Sequence, residues 1–255
     1  MDKSLIFDIG FHKGEDTRHY LSEGYRVIAV EANPLLVSAG QRKFSQQIAS
    51  GQLTLLNVGI ADHNQKLTFW VNEHRSEWSS FDQAIGCRHG TACHAVEVTC
   101  IRTDDLIQKY GVPYYLKVDI EGYDKYCLRS ISPANRPRYL SCEAVSVDLL
   151  NDLSALGYTK FKIINQSDRF RSLNLRNETD AWHSFKRMIF NGVMNRTLDW
   201  IPWKFPLKSS GPFGESTHGP WMSRQEVADL HRAFLQFDKH TPLNPMSWFD
   251  YHATT

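Results

Sequence analysis

The five cysteines include no C-x-x-C pair, and that absence argues against the common structural zinc sites. Cys100, Cys127 and Cys142 fall in apolar runs and read as small core residues, so reduced thiols and a cytoplasmic protein are expected. No apolar stretch approaches the roughly 20 residues that cross a bilayer. The first strand is expected close behind Met1, so no signal peptide is expected. Charge of either sign is not in excess: 29 Lys and Arg against 28 Asp and Glu give a formal net charge of +1. That balance provides no global field for nucleic acid or an acidic membrane surface. There are no internal repeats or low-complexity tracts. At 255 residues the chain can bury one sizeable core with an appended subdomain.

One further absence shapes the N-terminal motif. A dinucleotide fingerprint, G-x-G-x-x-G, would need glycine at position 12, and His12 stands there. What is present is Asp8-Ile-Gly-Phe-His-Lys-Gly-Glu-Asp-Thr17, directly after the apolar run Leu5–Phe7. A strand, a turn bracketed by Gly10 and Gly14, and a helix N-terminus bring backbone and free N–H groups up to a ligand. A second apolar run, Val27-Ile-Ala-Val30, ends in Glu31, an acid placed to accept from ribose hydroxyls.

Along the chain, strands are expected over 5–9, 26–30, 53–58, 114–118, 139–142 and 161–164. Helices are expected over 15–23, 34–49, 103–111, 122–131 and 147–156. The strands are continuous apolar runs, which suits a parallel sheet covered on both faces, and their alternation with helices implies a doubly wound α/β fold. Residues 66–72 and 95–100 alternate and read as an antiparallel pair flanking the loop 73–93, which holds Trp78, Ser79 and Ser80. Past Asn165 the composition changes: five of the seven Trp and six of the ten Pro lie there. Ser223-Arg-Gln-Glu226 is a capping box opening a helix that buries Val227, Leu230, Phe234 and Leu235. The expected division is a core of 1–165 and an aromatic-rich extension of 166–255. The extension would complete the fold and form the acceptor side or lid, with Trp182, Trp200, Trp203, Trp221 and Trp248 as flat faces and 209–221 as a hinged loop.

The second motif is Leu116-Lys-Val-Asp-Ile-Glu-Gly122. Asp119 and Glu121 stand where a strand ends, the place where open α/β sheets bind ligands. Lys117 reads as a buried cation paired with an acid, because an unpaired buried charge is very costly. Three charges in so short an apolar strand need a reason beyond packing.

These segments resemble the FkbM family of S-adenosylmethionine methyltransferases. The first resembles its D-x-G-x-N-x-G-x-x-T pattern, with His12 where Asn is usual, and the second matches its K-[IV]-D-[VI]-E-G motif throughout. Val30-Glu-Ala-Asn-Pro34, Asn57-Val-Gly-Ile-Ala-Asp62 and Thr103-Asp-Asp-Leu106 resemble further family segments in the family's order, so the likeness runs from about 4 to 165. It implies an α/β class I methyltransferase (Rossmann-like) fold with a seven-stranded, mostly parallel sheet, S-adenosylmethionine as donor, and O-methylation of a hydroxyl on a sugar, glycan or natural product. Carried over residue by residue, Asp8, Gly10 and Gly14 would shape the methionine pocket, with Thr17 on the following helix. Glu31 would bind the ribose hydroxyls, and Phe11, His12 and Ala32 would also contact the cofactor. Asn57 and Gly59 would lie near adenine, with a plain strand cap as the equal alternative for Asn57. Asp119 would sit beside the reacting methyl.

Methyl transfer from a sulfonium is an in-line displacement that depends on alignment, and a hydroxyl acceptor also needs a base or a cation. The catalytic candidates are Asp119, Glu121, Glu143 and His12, with His183, His218 and His252 as further histidines. Asp119 and Glu143 follow two separate strands and could share Mg²⁺ or another divalent cation; the competing reading pairs Glu143 with Lys117. The expected partner is a small-molecule or glycan acceptor, without nucleic acid or a membrane span. Two alternatives stay open: an NAD-dependent oxidoreductase on a Rossmann sheet, and a non-catalytic binding module.

Overall fold

The structure, a computed structural model, describes residues 1–175, 209–238 and 248–255. Trp182, Trp200, Trp203 and His183 lie outside the described residues. The chain divides into two compact units, Met1–Leu140 and Ser141–Thr255.

The first unit runs β1 (Asp2–Ile9), α1 (Glu15–Ser22), β2 (Arg26–Val30), α2 (Pro34–Lys43), α3 (Ser45–Ala49), β3 (Leu53–Leu56), β4 (Gly59–Ile60), β5 (Gln65–Asn72), α4 (Gln83–Gly86), β6 (Cys93–Ile101), α5 (Thr103–Tyr110), β7 (Pro113–Val118) and α6 (Asp124–Arg129). Strands β7, β1, β2 and β3 lie side by side in that order, with β1 parallel to both β7 and β2 and β2 parallel to β3. Their continuous apolar runs are buried, from Leu5 to Ile9 and from Val27 to Val30, as a sheet covered on both faces requires. The expected helix over 34–49 is two helices, because Phe44 leaves helical geometry at φ −109°. Its buried ring meets Phe11 at 5.8 Å between centroids, so packing under the N-terminal turn fixes the break.

The alternating segments pair as expected. β5 and β6 are antiparallel from Gln65 opposite Cys100 to Asn72 opposite Cys93, and the two-residue β4 joins the other side of β6. Phe69, Val71 and Val98 form a small core of their own, against which Ala32, Phe81 and Val96 pack. One sequence expectation is overturned here: Cys87 and Cys93 form a disulfide with a Cα–Cα separation of 5.6 Å. The antiparallel register holds Cys93 at the start of β6, and the loop returns Cys87 within bonding reach. Cys100, Cys127 and Cys142 are buried free thiols. The reading of uniformly reduced cysteines therefore fails in this loop.

The second unit contains β8 (Tyr139–Glu143, which crosses the boundary), α7 (Leu149–Ala155), β9 (Lys160–Asn165), β10 (Arg171–Ser172), α8 (Arg224–Asp238) and β11 (Phe249–Thr254). Its strand order is β10, β9, β11, β8, and β9 is antiparallel to both β10 and β11. Together with β7, β1, β2 and β3 of the first unit these make eight strands where the resemblance implies seven, the addition being the two-residue β10. The capping box forms: the Ser223 N–H and hydroxyl donate to Glu226 Oε2 at 2.8 and 2.7 Å. Val227 and Phe234 are buried as the pattern implies, whereas Leu235 is 39% exposed. Among the described residues no helix is long and apolar enough to cross a membrane.

Two of the candidate histidines, His218 and His252, are among the described residues of this unit. His218 Nδ1 accepts from the Ser172 N–H at 3.4 Å. His252, opposite Lys162 in the β9–β11 register, is buried, and burial together with the Lys162 charge pushes its ring down to about 3. Its folded value lies below the ordinary 6.5, so the unfolded chain takes up a proton first. The stability from its neutral burial is present above about pH 6.5 and drains away as pH falls toward 3, each unit of displacement being worth about 1.4 kcal/mol. Urea unfolding followed from pH 7 to pH 4 should therefore show stability falling with acid, and His252→Gln should flatten that slope. An unchanged slope in the variant would assign the acid sensitivity elsewhere.

Candidate active site

The first-unit motifs converge where β1, β2 and β7 end. Gly10 follows β1 at φ 92°, and a Cβ there would sit 1.9 Å from the Asp119 carbonyl oxygen. That crowding is set by register: Ile9 pairs with Val118, and the Asp119 N–H donates to the Ile9 carbonyl at 2.9 Å. The N–H groups of Gly10 and Phe11 both donate to the Val30 carbonyl at 3.0 Å, which fastens the turn to β2. Phe11 turns its ring into the core against Phe44, Gly14 and Gly40. Only its backbone is left to face a ligand. His12 adopts left-handed backbone at φ 50°, a conformation in which Asn, Asp and His are enriched among non-glycine residues.

Beneath the turn lies a buried charge cluster. Lys117 Nζ is 3.2 Å from Asp8 Oδ1, 3.6 Å from Asp16 Oδ2 and 3.7 Å from Asp119 Oδ2. It also donates to the Gly10 carbonyl at 2.9 Å. Burial works against the ammonium, but Asp8, Asp119 and Asp16 outweigh it and keep Lys117 protonated. Thr17, fully buried on α1, donates its hydroxyl to Asp8 Oδ2 at 2.6 Å. Asp8 and Thr17 thus build the turn from below. Asp119 is the member of the cluster that reaches solvent, with its side chain 47% exposed.

Glu31, at the end of β2, accepts the His12 N–H through Oε2 and the Asn33 N–H through Oε1, both at 2.8 Å. Burial lifts its carboxyl above the ordinary range against the pull of these two donors. Each oxygen keeps a further acceptor site. Asn57 donates its side-chain amide to the Glu31 and Ala32 carbonyls at 3.0 and 3.1 Å, so it ties the ends of β2 and β3 together. Ala32 packs on the β5–β6 core. Gly59 sits in β4, where a Cβ would meet Phe81 and Cys100.

Glu121 follows β7 at φ 44°. Burial first, and then the neighbouring Asp119, push its carboxyl up to about 7 against the opposing charge of Arg88. Arg88 Nη2 donates to Glu121 Oε2 at 3.0 Å, and the Ser80 hydroxyl donates to the Glu121 carbonyl at 2.8 Å. The His12 ring shares a hydrogen bond with the Ser76 hydroxyl at 2.8 Å and lies 3.5 Å from Glu15. Sequence reading gave no role to Asp16, Ser76, Ser80 or Arg88. Asp16 carried a weak signal, an acid in the first helical turn after the glycine turn; the other three lie on a loop whose path no local pattern specifies.

The expected cation ligands fall one in each unit, Asp119 in the first and Glu143 in the second. Among the described residues no group of three or more His, Cys, Asp and Glu side chains is gathered for a metal ion.

The methyltransferase FkbM domain matches residues 8–169, more than half of the chain. The chain belongs to the FkbM methyltransferase family. The parallel α/β arrangement of its first unit agrees with the fold expected of that family, and the methyltransferase family model counts against the dehydrogenase reading. Among solved structures, the FkbM methyltransferase of Methylobacillus flagellatus KT is 18% identical, with a TM-score of 0.42 over 60% of this chain and 36% of that one. Phosphoethanolamine N-methyltransferase 2 of Haemonchus contortus, solved with phosphomonomethylethanolamine and S-adenosylhomocysteine, is 9% identical, with a TM-score of 0.42 over 99% of this chain and 49% of that one. The O-methyltransferase of a trans-AT PKS multienzyme of Brevibacillus brevis, solved with S-adenosylhomocysteine, is 8% identical, with a TM-score of 0.41 over 99% and 66%. This chain spans about a third of the first of these chains and half of the second. No curated protein matches.

In this FkbM chain Lys117 is the cation on which the turn is assembled. Removing it should leave three acids gathered without their counter-charge. Lys117→Ala should cost about 3–5 kcal/mol in urea unfolding, the range for breaking a buried pair from one side. A cost below about 1 kcal/mol, typical of exposed pairs, would show that the cluster is held by other means.

Proposed function

We propose that this chain is an S-adenosylmethionine-dependent methyltransferase acting on a hydroxyl oxygen of a sugar, glycan or natural product. The observation that carries the reading is Glu121: a carboxyl near neutrality, about 7, beside the half-exposed Asp119 where β7 ends. A hydroxyl acceptor needs a base matched to working pH, and burial has moved this carboxyl there.

The residues present fit the donor. Two acids, Glu31 and Asp119, stand at the ends of separate strands around a glycine turn, and α1 begins at Gly14 without a side-chain cap. Acceptors for ribose hydroxyls, negative charge for an ammonium or sulfonium and free N–H groups for a carboxylate are the chemistry this ligand needs. Bound there, S-adenosylmethionine supplies an electrophilic methyl. Glu31 would hold the ribose, Gly10 and the Phe11 backbone would line the methionine side, and Asn57 and Gly59 would flank the adenine side. Asp119 orients the acceptor hydroxyl, and Glu121 takes its proton as the oxygen attacks. His12, already bonded to Ser76, is a positioning group in this scheme.

S-Adenosylhomocysteine at 100 times its dissociation constant should stabilise the protein by about 2.7 kcal/mol. Glu31→Ala should weaken that binding, and equal calorimetric affinity in the variant would remove Glu31 from the ribose site. Wild-type turnover on a hydroxyl acceptor should rise with pH through an ionisation near 7. Glu121→Gln should lower it about 10²–10⁴-fold, as loss of a general base does, while cofactor binding persists. Undiminished turnover in Glu121→Gln would sink the assignment of the base. Cofactor binding with no methyl transfer to any of a broad panel of hydroxyl compounds would favour the binding-module alternative.

A further inference from the structure

One cleft of the first unit takes no part in holding the cofactor. Its walls come from β5, the segment leading into α4, and the turn between β7 and α6. Its volume is about 390 Å³, inside the roughly 300–1,000 Å³ of small-molecule sites. One hydrogen bond fixes where it lies. Phe81 and Gly122 both line it, and their chain neighbours are joined by the Ser80 hydroxyl donating to the Glu121 carbonyl at 2.8 Å. The cleft therefore starts one residue from Glu121, at the end of β7 where Asp119 reaches solvent. Trp70 is held in its wall by two backbone hydrogen bonds with Ser80, at 2.8 and 3.1 Å. Asp82 accepts the Ala84 N–H at 2.8 Å, which starts α4 and fixes the place of Gln83.

Aromatic rings form one side. The Phe81 ring, seated on Phe69 at 4.8 Å between centroids, meets Tyr123 at 5.1 Å, and Tyr123 meets Tyr126 at 4.8 Å. Successive planes turn by 45° and 46°, so the wall is bent rather than flat. The polar groups are mixed in kind: the Asp82 carboxylate accepts, the Lys125 ammonium donates, and the Gln83 amide does both. All three are exposed, and among the described residues the side chains of Gln83 and Lys125 make no hydrogen bond. That combination selects a ligand. An apolar compound would desolvate these groups without pairing them. An anion would meet the Asp82 charge as well as the one lining cation, Lys125. A flat heteroaromatic ring would stack on only one segment of a bent wall. A neutral sugar ring suits every feature: its C–H faces pack on the electron-rich faces of the aromatics, and its hydroxyls both donate and accept.

We propose that this cleft is the acceptor subsite and that it binds a neutral pyranose ring, presenting one of its hydroxyls to the end of β7. The inference rests on the methyltransferase reading for the fate of that hydroxyl, but not for the binding of the sugar.

The test is NMR of the indole N–H groups in the full chain labelled with nitrogen-15 tryptophan, the Trp70 signal being assigned from Trp70→Phe. Neutral methyl pyranosides of the gluco, galacto, manno and xylo series are titrated in, with a methyl glucuronoside as the anionic control and p-cresol as the flat one. At least one neutral pyranoside should shift the Trp70 signal saturably. Gln83→Ala and Lys125→Ala, both at exposed positions, should each weaken that binding about tenfold, as loss of a hydrogen bond to a polar or charged group does. No shift of the Trp70 signal with any neutral pyranoside, tighter binding of either control, or wild-type affinity in both variants would overturn the proposal. Methyl transfer, followed in parallel, separates the two readings. Sugar binding beside Trp70 with no transfer to any acceptor leaves the sugar site standing and rejects the methyltransferase reading. Transfer to a hydroxyl compound with unchanged KM in both variants keeps that reading and removes the cleft from it.

Discussion

A single ammonium, Lys117 Nζ, holds together the end of the sheet where the site lies. It is buried among Asp8, Asp16 and Asp119 and bonded to the carbonyl of Gly10. The desolvation cost of such a group is large, and it is offset only by close opposite charges and hydrogen bonds. Those partners come from three places in the chain: the end of β1, the first turn of α1, and β7 itself. Satisfying Lys117 therefore fixes the glycine turn relative to the strand carrying Asp119, before any ligand arrives.

The geometry that follows is economical in residues. Gly10 is compelled by the Asp119 carbonyl, and the His12 N–H is delivered to Glu31 by the left-handed backbone at position 12. Asn57 draws β3 up to the end of β2 through two carbonyls. The loop between β5 and β6 then supplies both Ser80 to the Glu121 backbone and Arg88 to its side chain. The acids differ in consequence. Asp8 is buried against Lys117, Asp119 reaches solvent, and Glu121 is lifted to about 7.

Much of this frame was legible in the sequence because it depends on local signals. Continuous apolar runs marked the strands, Gly10 and Gly14 marked the turn, and the charges of 117–121 marked the ligand end of β7. Burial of Lys117 followed from its place in an apolar strand, but its particular acids did not, since pairing across α1 and β1 is a tertiary fact. The break at Phe44 was hidden because helix propensity continues through it, and an aromatic contact with Phe11 decides the geometry. The Cys87–Cys93 bond and the Arg88–Glu121 pair were hidden for the same reason: both depend on the path of the loop 73–93, which the antiparallel register of β5 and β6 sets. Phe11 and Asn57 were marked by resemblance; the Phe11 ring packs into the core, and the exposed Asn57 donates its amide to the Glu31 and Ala32 carbonyls.

The central claim is that the turn held by Lys117 and the end of β2 carrying Glu31 form one cofactor site. Amide hydrogen exchange with and without saturating S-adenosylhomocysteine measures this directly, since protection reports where a ligand suppresses local opening. The account predicts slowed exchange concentrated in peptides covering Gly10–Glu15 and Val30–Asn33, with β5 and β6 little changed. Binding of the ligand with unaltered exchange in both of those segments would contradict it.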